Sequence, residues 1–483
     1  MKYQYVLASL SAAAITCLLQ ACGGGNEPVP IAIGTPPFAA TAECAALKNM
    51  NVLNTTILSA EQIPAGSYTP PGSKAKFDNL PDFCRLTATV APTAGSSIGI
   101  ELWLPTKTWN GRYQQVGTHG VGGLIYWSEM APQLRRGFAT GATDTGHLAS
   151  EGLSSWAIGK PERLTDYASR AVHELAEKAK SSIKAYYGRT QEYAYYNGCS
   201  MGGANGMKAA QMYPNDFNGI ISNPSRCTWS TSSLVCKSGQ DPTTCITTSQ
   251  AAALTANVSP ILDPDTGAEY FPGLPRGSEH DQLHFGWTNS LSFAGLAAYQ
   301  IALQDATWNG STFDFRRDTP IAERMLASVN AIDPDLSAFR KAGGKLIQWH
   351  TWDDSQFAPE YQLRYYEQVA GRMGGAETTG DFYRLFMMPA QGHCAGSGDG
   401  PSNIGAENQI AVSNDAEHDV VTALETWVSQ GVAPKVLIAS RYKNNDPKQG
   451  IDMQRPLCPY PLEAVYKGSG NTNVAANFYC GKP

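Results

Sequence analysis

The stretch Gly198-Cys199-Ser200-Met201-Gly202-Gly203 constrains the fold more than any other part of the chain. A short aromatic run with strand character, residues 193–196, precedes it, and a run with helical character, residues 204–213, follows it. A turn this short between a strand and a helix needs small residues, because neighbouring backbone must approach closely. The sequence therefore predicts strand, tight turn and helix in direct succession, with Ser200 at the apex of the turn.

The rest of the chain alternates between strand-like and helix-like patterns. Apolar runs predict further strands at residues 86–90, 98–104, 113–116, 138–142, 345–349 and 384–388. Helical periodicity predicts helices at 163–187, 336–342, 359–373 and 415–429. This alternation is typical of an α/β fold with a mainly parallel sheet. Residues 431–483 show no clear period, and we expect them to be irregular.

Composition limits the domain organisation and the class of partner. The chain has 483 residues, of which 42% are hydrophobic, enough for one large domain with an insertion or for two domains. Its net charge of -6 argues against nucleic acid as a partner. Residues 226–320 are rich in Ser, Thr, Gly, Pro and Asp, and we interpret them as an inserted lid. A catalytic domain would then comprise residues 41–225 and 321–483.

The N-terminus predicts export. Lys2, an apolar run at residues 6–19 and Leu19-Gln20-Ala21-Cys22 resemble a lipoprotein signal peptide spanning residues 1–22. Cys22 would be lipidated, and residues 23–40 would form a flexible tether. We therefore expect an exported protein, either an outer-membrane lipoprotein or a periplasmic or extracellular one, whose membrane contact is only the lipid anchor. The alternatives are an ordinary cleaved secretory signal and, less consistent with the short apolar run, a single membrane anchor.

The Gly198–Gly202 segment fits the pattern G-x-S-x-G, which indicates that Ser200 is a nucleophile. The helix that follows would favour developing negative charge, and the Met201 amide would donate to an oxyanion. In hydrolases with this turn, the acid and then the histidine follow the serine along the chain. Asp353 and Asp354 follow one predicted strand, and His393 follows the next. Position alone does not separate Asp353 from Asp354.

These residues resemble the CS-D-HC constellation of the tannase and feruloyl esterase family, which includes mono(2-hydroxyethyl) terephthalate hydrolase-like members. The constellation comprises Cys199-Ser200, Asp354 and His393-Cys394. The other matching stretches are Trp109-Asn110-Gly111-Arg112, Gly117-Thr118-His119-Gly120, residues 142–147, residues 349–354, residues 455–461 and residues 466–470. The similarity of residues 349–354 to the family motif selects Asp354 as the acid.

The resemblance implies an α/β-hydrolase core, a triad of Ser200, Asp354 and His393, and oxyanion donors at Met201, Gly117 and Thr118. It also implies four disulfides. They are Cys199–Cys394, Cys44–Cys84, Cys236–Cys245 and Cys458–Cys480. Eleven cysteines less Cys17 and Cys22 of the signal leave nine, so Cys227 would be unpaired.

The predicted lid departs from the family pattern, because it is short and lacks the family's calcium loop. Asp263-Pro264-Asp265-Thr266-Gly267 is the nearest acidic cluster, and we interpret it as a turn. We therefore expect no metal and no cofactor.

The resemblance implies a serine esterase that hydrolyses small-molecule esters of aromatic acids, such as feruloyl or galloyl esters, through an acyl-enzyme on Ser200. Aromatic lid residues are candidates for the acyl pocket: Trp229, Tyr270, Phe271, Phe285 and Trp287. Arg316 and Arg317 are candidates for binding a substrate carboxylate. Two alternatives stay open: an esterase for aliphatic or polyester-derived oligomers, and a surface lipoprotein that binds ligands without catalysis.

Overall fold

The computed structural model describes residues 37–222, 234–241, 245–275, 277–278, 293–389, 392–394, 400–407 and 409–482. The strands are β1 Thr55–Ile63, β2 Gly66–Tyr68, β3 Phe77–Leu80, β4 Phe83–Val90, β5 Ile98–Pro105, β6 Arg112–Val116, β7 Ala139–Thr143, β8 Tyr193–Asn197, β9 Gly219–Ser222, β10 Ile261–Leu262, β11 Glu269–Phe271, β12 Lys345–Thr351, β13 Tyr383–Met388, β14 Leu437–Tyr442, β15 Ile451–Leu457, β16 Glu463–Tyr466 and β17 Phe478–Gly481. The α-helices are α1 Trp127–Arg135, α2 Pro161–Thr165, α3 Ala171–Tyr187, α4 Met201–Met212, α5 Thr248–Val258, α6 Phe293–Ala302, α7 Phe315–Met325, α8 Ser337–Lys341, α9 Pro359–Met373, α10 Ala376–Gly380 and α11 Val420–Gln430. A π-helical turn, Asp166–Arg170, joins α2 to α3.

The central sheet has nine strands in the order β1-β4-β5-β7-β6-β8-β9-β12-β13. Within this sheet, β7, β6, β8, β9, β12 and β13 run parallel to one another. Strands β1, β4 and β5 are antiparallel to their neighbours. Because β8, β12 and β13 run in the same direction, the loops that follow them meet at one edge of the sheet. These loops carry Ser200, Asp354 and His393.

Both faces of the sheet are buried under helices, as a parallel sheet requires. Alternate residues of one strand therefore enter different cores. Tyr196 packs in the core that includes α3, while Tyr195 packs in the core that includes α11. Leu385 and Phe386 of β13 divide in the same way.

The predicted α/β-hydrolase fold class is confirmed, and the predicted helix at residues 359–373 has the observed bounds of α9. One expectation is wrong. The segment 431–483 is not irregular, because β14 pairs with β15 and β16 pairs with β17. The predicted signal peptide, most of the tether, and Cys22 lie outside the described residues. None of the helices described above combines the length and apolar character that a membrane crossing requires.

Candidate active site

The turn between β8 and α4 holds Ser200 in a strained conformation. Ser200 has φ 55° and ψ -128°, a combination that side-chain-bearing residues rarely adopt. The close approach predicted at the flanking glycines is present. A Cβ on Gly202 would lie 2.7 Å from the Thr118 carbonyl oxygen, and one on Gly198 would lie 2.7 Å from the Gly202 carbonyl carbon. Glycine at both positions therefore lets the turn and the 117–120 loop pack backbone against backbone.

The structure brings Ser200, His393 and Asp354 into one chain of hydrogen bonds. The Ser200 Oγ lies 2.8 Å from His393 Nε2. The His393 Nδ1 lies 2.9 Å from Asp354 Oδ2 and 3.0 Å from Asp354 Oδ1. Since a carboxylate only accepts, the ring proton sits on Nδ1, and the lone pair of Nε2 faces the serine hydroxyl.

The geometry separates Asp353 from Asp354, the two candidate acids that sequence position left open. Asp353 contacts a different group, because its Oδ1 accepts from the Gly392 amide at 3.0 Å. The Asp354 side chain is fully buried, and its Oδ1 also accepts from the amides of Gln356 and Phe357 at 2.7 and 3.0 Å. These two amides fix the orientation of the carboxylate against His393.

His350, the other histidine near the acid, lies next to Asp354. Its Nε2 donates to the Phe357 carbonyl at 3.0 Å, and its Nδ1 is 3.6 Å from Asp354 Oδ2. Complete burial holds the pKa of His350 well below its ordinary value, so the ring is neutral.

All four disulfides that the resemblance implied are present. They are Cys44–Cys84, Cys199–Cys394, Cys236–Cys245 and Cys458–Cys480. The bond between Cys199 and Cys394 joins the neighbour of Ser200 to the neighbour of His393 and closes a span of 195 residues. Cys227, expected to be unpaired, lies outside the described residues.

One predicted oxyanion donor is wrong. The Gly117 amide donates to the Asn197 carbonyl at 2.8 Å and so extends the β6–β8 ladder, which leaves it unavailable to a ligand. Met201 is the first residue of α4, where amides have no partner within the helix. Thr118 is buried against the first turn of α4. Met201 and Thr118 thus stay candidates.

Two cavities meet at Ser200 and His393. The larger, about 630 Å³, is lined by Trp156, Tyr167, Leu164, Ile301 and Leu326, among others. The smaller, about 290 Å³, extends along Tyr361 and Gln362. Volumes of roughly 300–1,000 Å³ are usual for small-molecule sites.

None of the described substrate-binding candidates from the predicted lid lines the two cavities. Tyr270 and Phe271 pack on Phe315 and Tyr361, and neither is among the described residues that line the two cavities. Trp229, Phe285 and Trp287 lie outside the described residues. Arg316 forms an ion pair with Asp265 at 2.8 Å, and Arg317 forms one with Asp318 at 2.6 Å. Neither arginine is among the described lining residues.

The aromatic wall of the larger cavity was missed from sequence. Tyr167 lies at this wall and packs on the fully buried ring of Trp156, with ring centroids 5.1 Å apart. Both residues come shortly after the stretch 142–147, which resembles a family motif. That proximity is the one sequence signal that points to them. Ala297, Ala298 and Ile301 of α6, inside the predicted lid segment, line the same cavity.

His119, Glu129 and Glu407 form a cluster beside the turn, in which both glutamates are buried and His119 is half-buried, with candidate ligand atoms within 4.8 Å of one another. We do not identify them as metal ligands, because Glu407 already accepts from the Cys199 amide and faces His119 as an ion pair.

The Asp263–Gly267 cluster adopts the expected turn, in which Asp263 Oδ1 accepts from the amides of Asp265 and Thr266 at 2.9 and 2.8 Å.

Comparison with known proteins places this geometry in a family. The family model described as tannase and feruloyl esterase matches residues 84–232 and 220–481. An uncharacterized esterase of Xanthomonas campestris is 32% identical, with 92% of each chain covered. A protein of Aspergillus terreus named "probable feruloyl esterase B-2" is 28% identical, with 84% of this chain and 89% of that one covered.

Solved structures agree with the sequence relatives. The crystal structure of feruloyl esterase B from Aspergillus oryzae superposes with a TM-score of 0.81 at 25% identity, covering 91% of this chain and 99% of that one. The α/β core, the four cysteine pairs and these likenesses support one assignment. The chain belongs to the tannase and feruloyl esterase family and is a carboxylic ester hydrolase.

Proposed function

We propose that the protein hydrolyses esters of neutral aromatic acids through an acyl-enzyme formed on Ser200. The observation that carries the proposal is the hydrogen-bonded chain from Ser200 Oγ through His393 to Asp354. It lies where an apolar cavity with an aromatic wall opens. Relatives named as feruloyl esterases support the aromatic acyl group.

In the proposed first step, His393 Nε2 takes the proton of Ser200 Oγ as the oxygen bonds to the ester carbonyl carbon. The carbonyl oxygen becomes an oxyanion that the amides of Met201 and Thr118 stabilise. The carbon–oxygen bond to the alcohol then breaks, and the alcohol leaves with the proton from His393. Water repeats the sequence on the acyl-enzyme, releasing the acid and restoring Ser200.

The lining of the larger cavity supports a neutral acyl group. Among the described residues around it, the ionisable side chains are the imidazoles of His119 and His393 and the Tyr167 hydroxyl, and neither Lys nor Arg is present. Burial raises the pKa of Tyr167 beyond its ordinary range, so its hydroxyl is neutral. Since His119 is already paired with Glu407, an acyl group with a free carboxylate would enter without a free counter-charge, which is costly.

A fluorophosphonate probe tests the nucleophile. We expect wild type to be labelled and Ser200→Ala to be unlabelled. Ser429→Ala, which removes a hydroxyl bonded within α11, is the matched control and keeps wild-type labelling. Absence of labelling in folded wild type would favour the non-catalytic binding protein and refute the proposal.

A substrate panel tests the acyl group. We expect kcat/KM for methyl ferulate or methyl gallate to exceed that for p-nitrophenyl butyrate and for mono(2-hydroxyethyl) terephthalate. Trp156→Ala removes the fully buried ring that packs on Tyr167 at the cavity, and it should lower the ferulate value by about tenfold more than the butyrate value, as the loss of one aromatic pair implies. A butyrate preference that survives Trp156→Ala would favour the aliphatic alternative.

The predicted domain bounds and the anchor are also part of the proposal. The segment 226–320 would act as a lid, supported by the residues of α6 that line the larger cavity. Cys22 would carry the lipid that tethers an exported enzyme. Labelling with radioactive palmitate should mark the wild type and not Cys22→Ser, and equal labelling of both would contradict the assignment.

A further inference from the structure

We propose that Glu407 is a positioning residue that fixes the nucleophile turn against the 117–120 loop, an inference that rests on the proposed function. The carboxylate side chain of Glu407 is 1% exposed. Its Oε2 accepts from the Cys199 amide at 2.6 Å, and its Oε1 lies 2.8 Å from His119 Nε2. One carboxylate thus holds the residue before Ser200 and the residue after Thr118.

The position of these contacts connects Glu407 to the reaction. Cys199 is held at two points, by the hydrogen bond that its backbone amide donates to Glu407 and by the disulfide to Cys394. His119 follows Thr118, one of the two candidate oxyanion donors. The separation between the Met201 and Thr118 amides therefore depends on Glu407, and an oxyanion site works only when its donors are prealigned.

Charge balance explains why a buried carboxylate is tolerated here. An unpaired buried charge is strongly unfavourable. Burial lowers the pKa of His119, but the charge and hydrogen bond of Glu407 and the charge of Glu129 raise it more, so the pKa lies above its ordinary value. Protonated His119, which this shift favours, balances the charge of Glu407.

Among the residues that the structure describes, the other titratable groups that face this pair are Tyr126 and Tyr196. The Tyr126 ring lies 4.7 Å from the His119 ring. Burial, with a smaller contribution from the Glu407 charge, raises the pKa of both tyrosines, so both hydroxyls are neutral. They add no charge that would replace the one on Glu407.

Two substitutions separate the effect of the Glu407 charge from the effect of its side-chain length. Glu407→Gln keeps an acceptor for the Cys199 amide and removes the charge, whereas Glu407→Asp keeps the charge and shortens the side chain. We expect each to lower kcat by on the order of 10- to 100-fold with little change in KM, since misplacement of a catalytic group by about 1 Å has this cost. Glu425→Gln removes another buried carboxylate, paired with Arg112, and should leave kcat unchanged.

A direct readout is the pKa of His119, measured by NMR on histidine-labelled full-length protein in a Ser200→Ala background and assigned with His119→Gln. Glu407→Gln should lower this pKa, and Glu407→Asp should largely preserve it. Wild-type kcat in folded Glu407→Gln with an unchanged His119 pKa would overturn the inference. So would loss of activity on dialysis against EDTA that a divalent cation restores, because Glu407 would then be a metal ligand.

The proposed function fails separately, by absence of fluorophosphonate labelling in wild type. Labelled wild type together with fully active Glu407 variants would leave the serine mechanism standing and refute the role of Glu407 alone.

Discussion

Replacing Asp354 by Asn tests the proposed acid by changing one atom. The Gln356 and Phe357 amides donate to Asp354 Oδ1, so the asparagine oxygen must stay there. The reverse orientation would leave two buried donors unsatisfied, at about 1–3 kcal/mol each. The new NH2 group would then face His393 Nδ1, 2.9 Å away in the wild type.

That orientation forces the wrong tautomer on His393. Its Nδ1 must accept from the asparagine, the ring proton moves to Nε2, and the lone pair that faced Ser200 Oγ is lost. A triad with this defect typically loses about 10⁴-fold in kcat. Four factors of ten at about 1.36 kcal/mol each amount to about 5.4 kcal/mol of transition-state stabilisation.

Asp353→Asn is the matched control, because it makes the same change one residue away. The asparagine oxygen can still accept from the Gly392 amide. We expect kcat to stay within about tenfold of wild type, which corresponds to about 1.4 kcal/mol or less. The assay is kcat on methyl ferulate, with circular dichroism and a thermal melt to verify folding. A larger loss in Asp353→Asn, or equal losses in both variants, would refute the assignment of the acid.

Three further outcomes follow from the same geometry. The double variant Cys199→Ser/Cys394→Ser should lower kcat even where near-UV circular dichroism shows a retained fold. Because this disulfide closes a 195-residue span, its loss should also lower the unfolding free energy by up to about 5 kcal/mol. Unaltered turnover in the double variant would contradict this prediction. Gly202→Ala should destabilise by about 1–3 kcal/mol and reduce kcat, since its Cβ would meet the Thr118 loop; a wild-type melting temperature would contradict it. The hydrogen bond that His173 Nδ1 donates to Asp216 raises the pKa of His173 above its unfolded value. The stability from this pair should be complete below about pH 6.5 and decline as pH rises through the folded pKa, and Asp216→Asn should flatten that slope in denaturant titrations.

The parts of the fold that were predictable are those with strong local patterns. Strands β8, β12 and β13 are buried nearly throughout, so continuous apolar runs mark them. Strand β1 escaped notice because it is an edge strand whose residues are mostly exposed or half-buried. In the tail, β15, β16 and β17 are likewise mostly half-buried or exposed, whereas β14 is mostly buried.

In the candidate site, too, the predictable residues are those with local sequence signals. Ser200 and His393 have local signals, a turn pattern and adjacent cysteines. The choice of Asp354 over Asp353 depends on which carboxylate points at His393, which residues alone do not reveal. Glu407 lies 208 positions from Cys199, and no local pattern distinguishes it from other glutamates.

The strain at Ser200 requires support from outside the turn, and this explains the chemistry of its neighbours. A residue held at φ 55° and ψ -128° costs about 1–3 kcal/mol and persists only when its surroundings over-determine it. Helix α4 supplies one side of that constraint. Cys199 supplies the other, through its disulfide to Cys394 and through the hydrogen bond that its amide donates to the buried carboxylate of Glu407. Removing either support should let the turn relax towards an ordinary conformation, and the serine hydroxyl would then leave the position 2.8 Å from His393 that the proposed reaction needs.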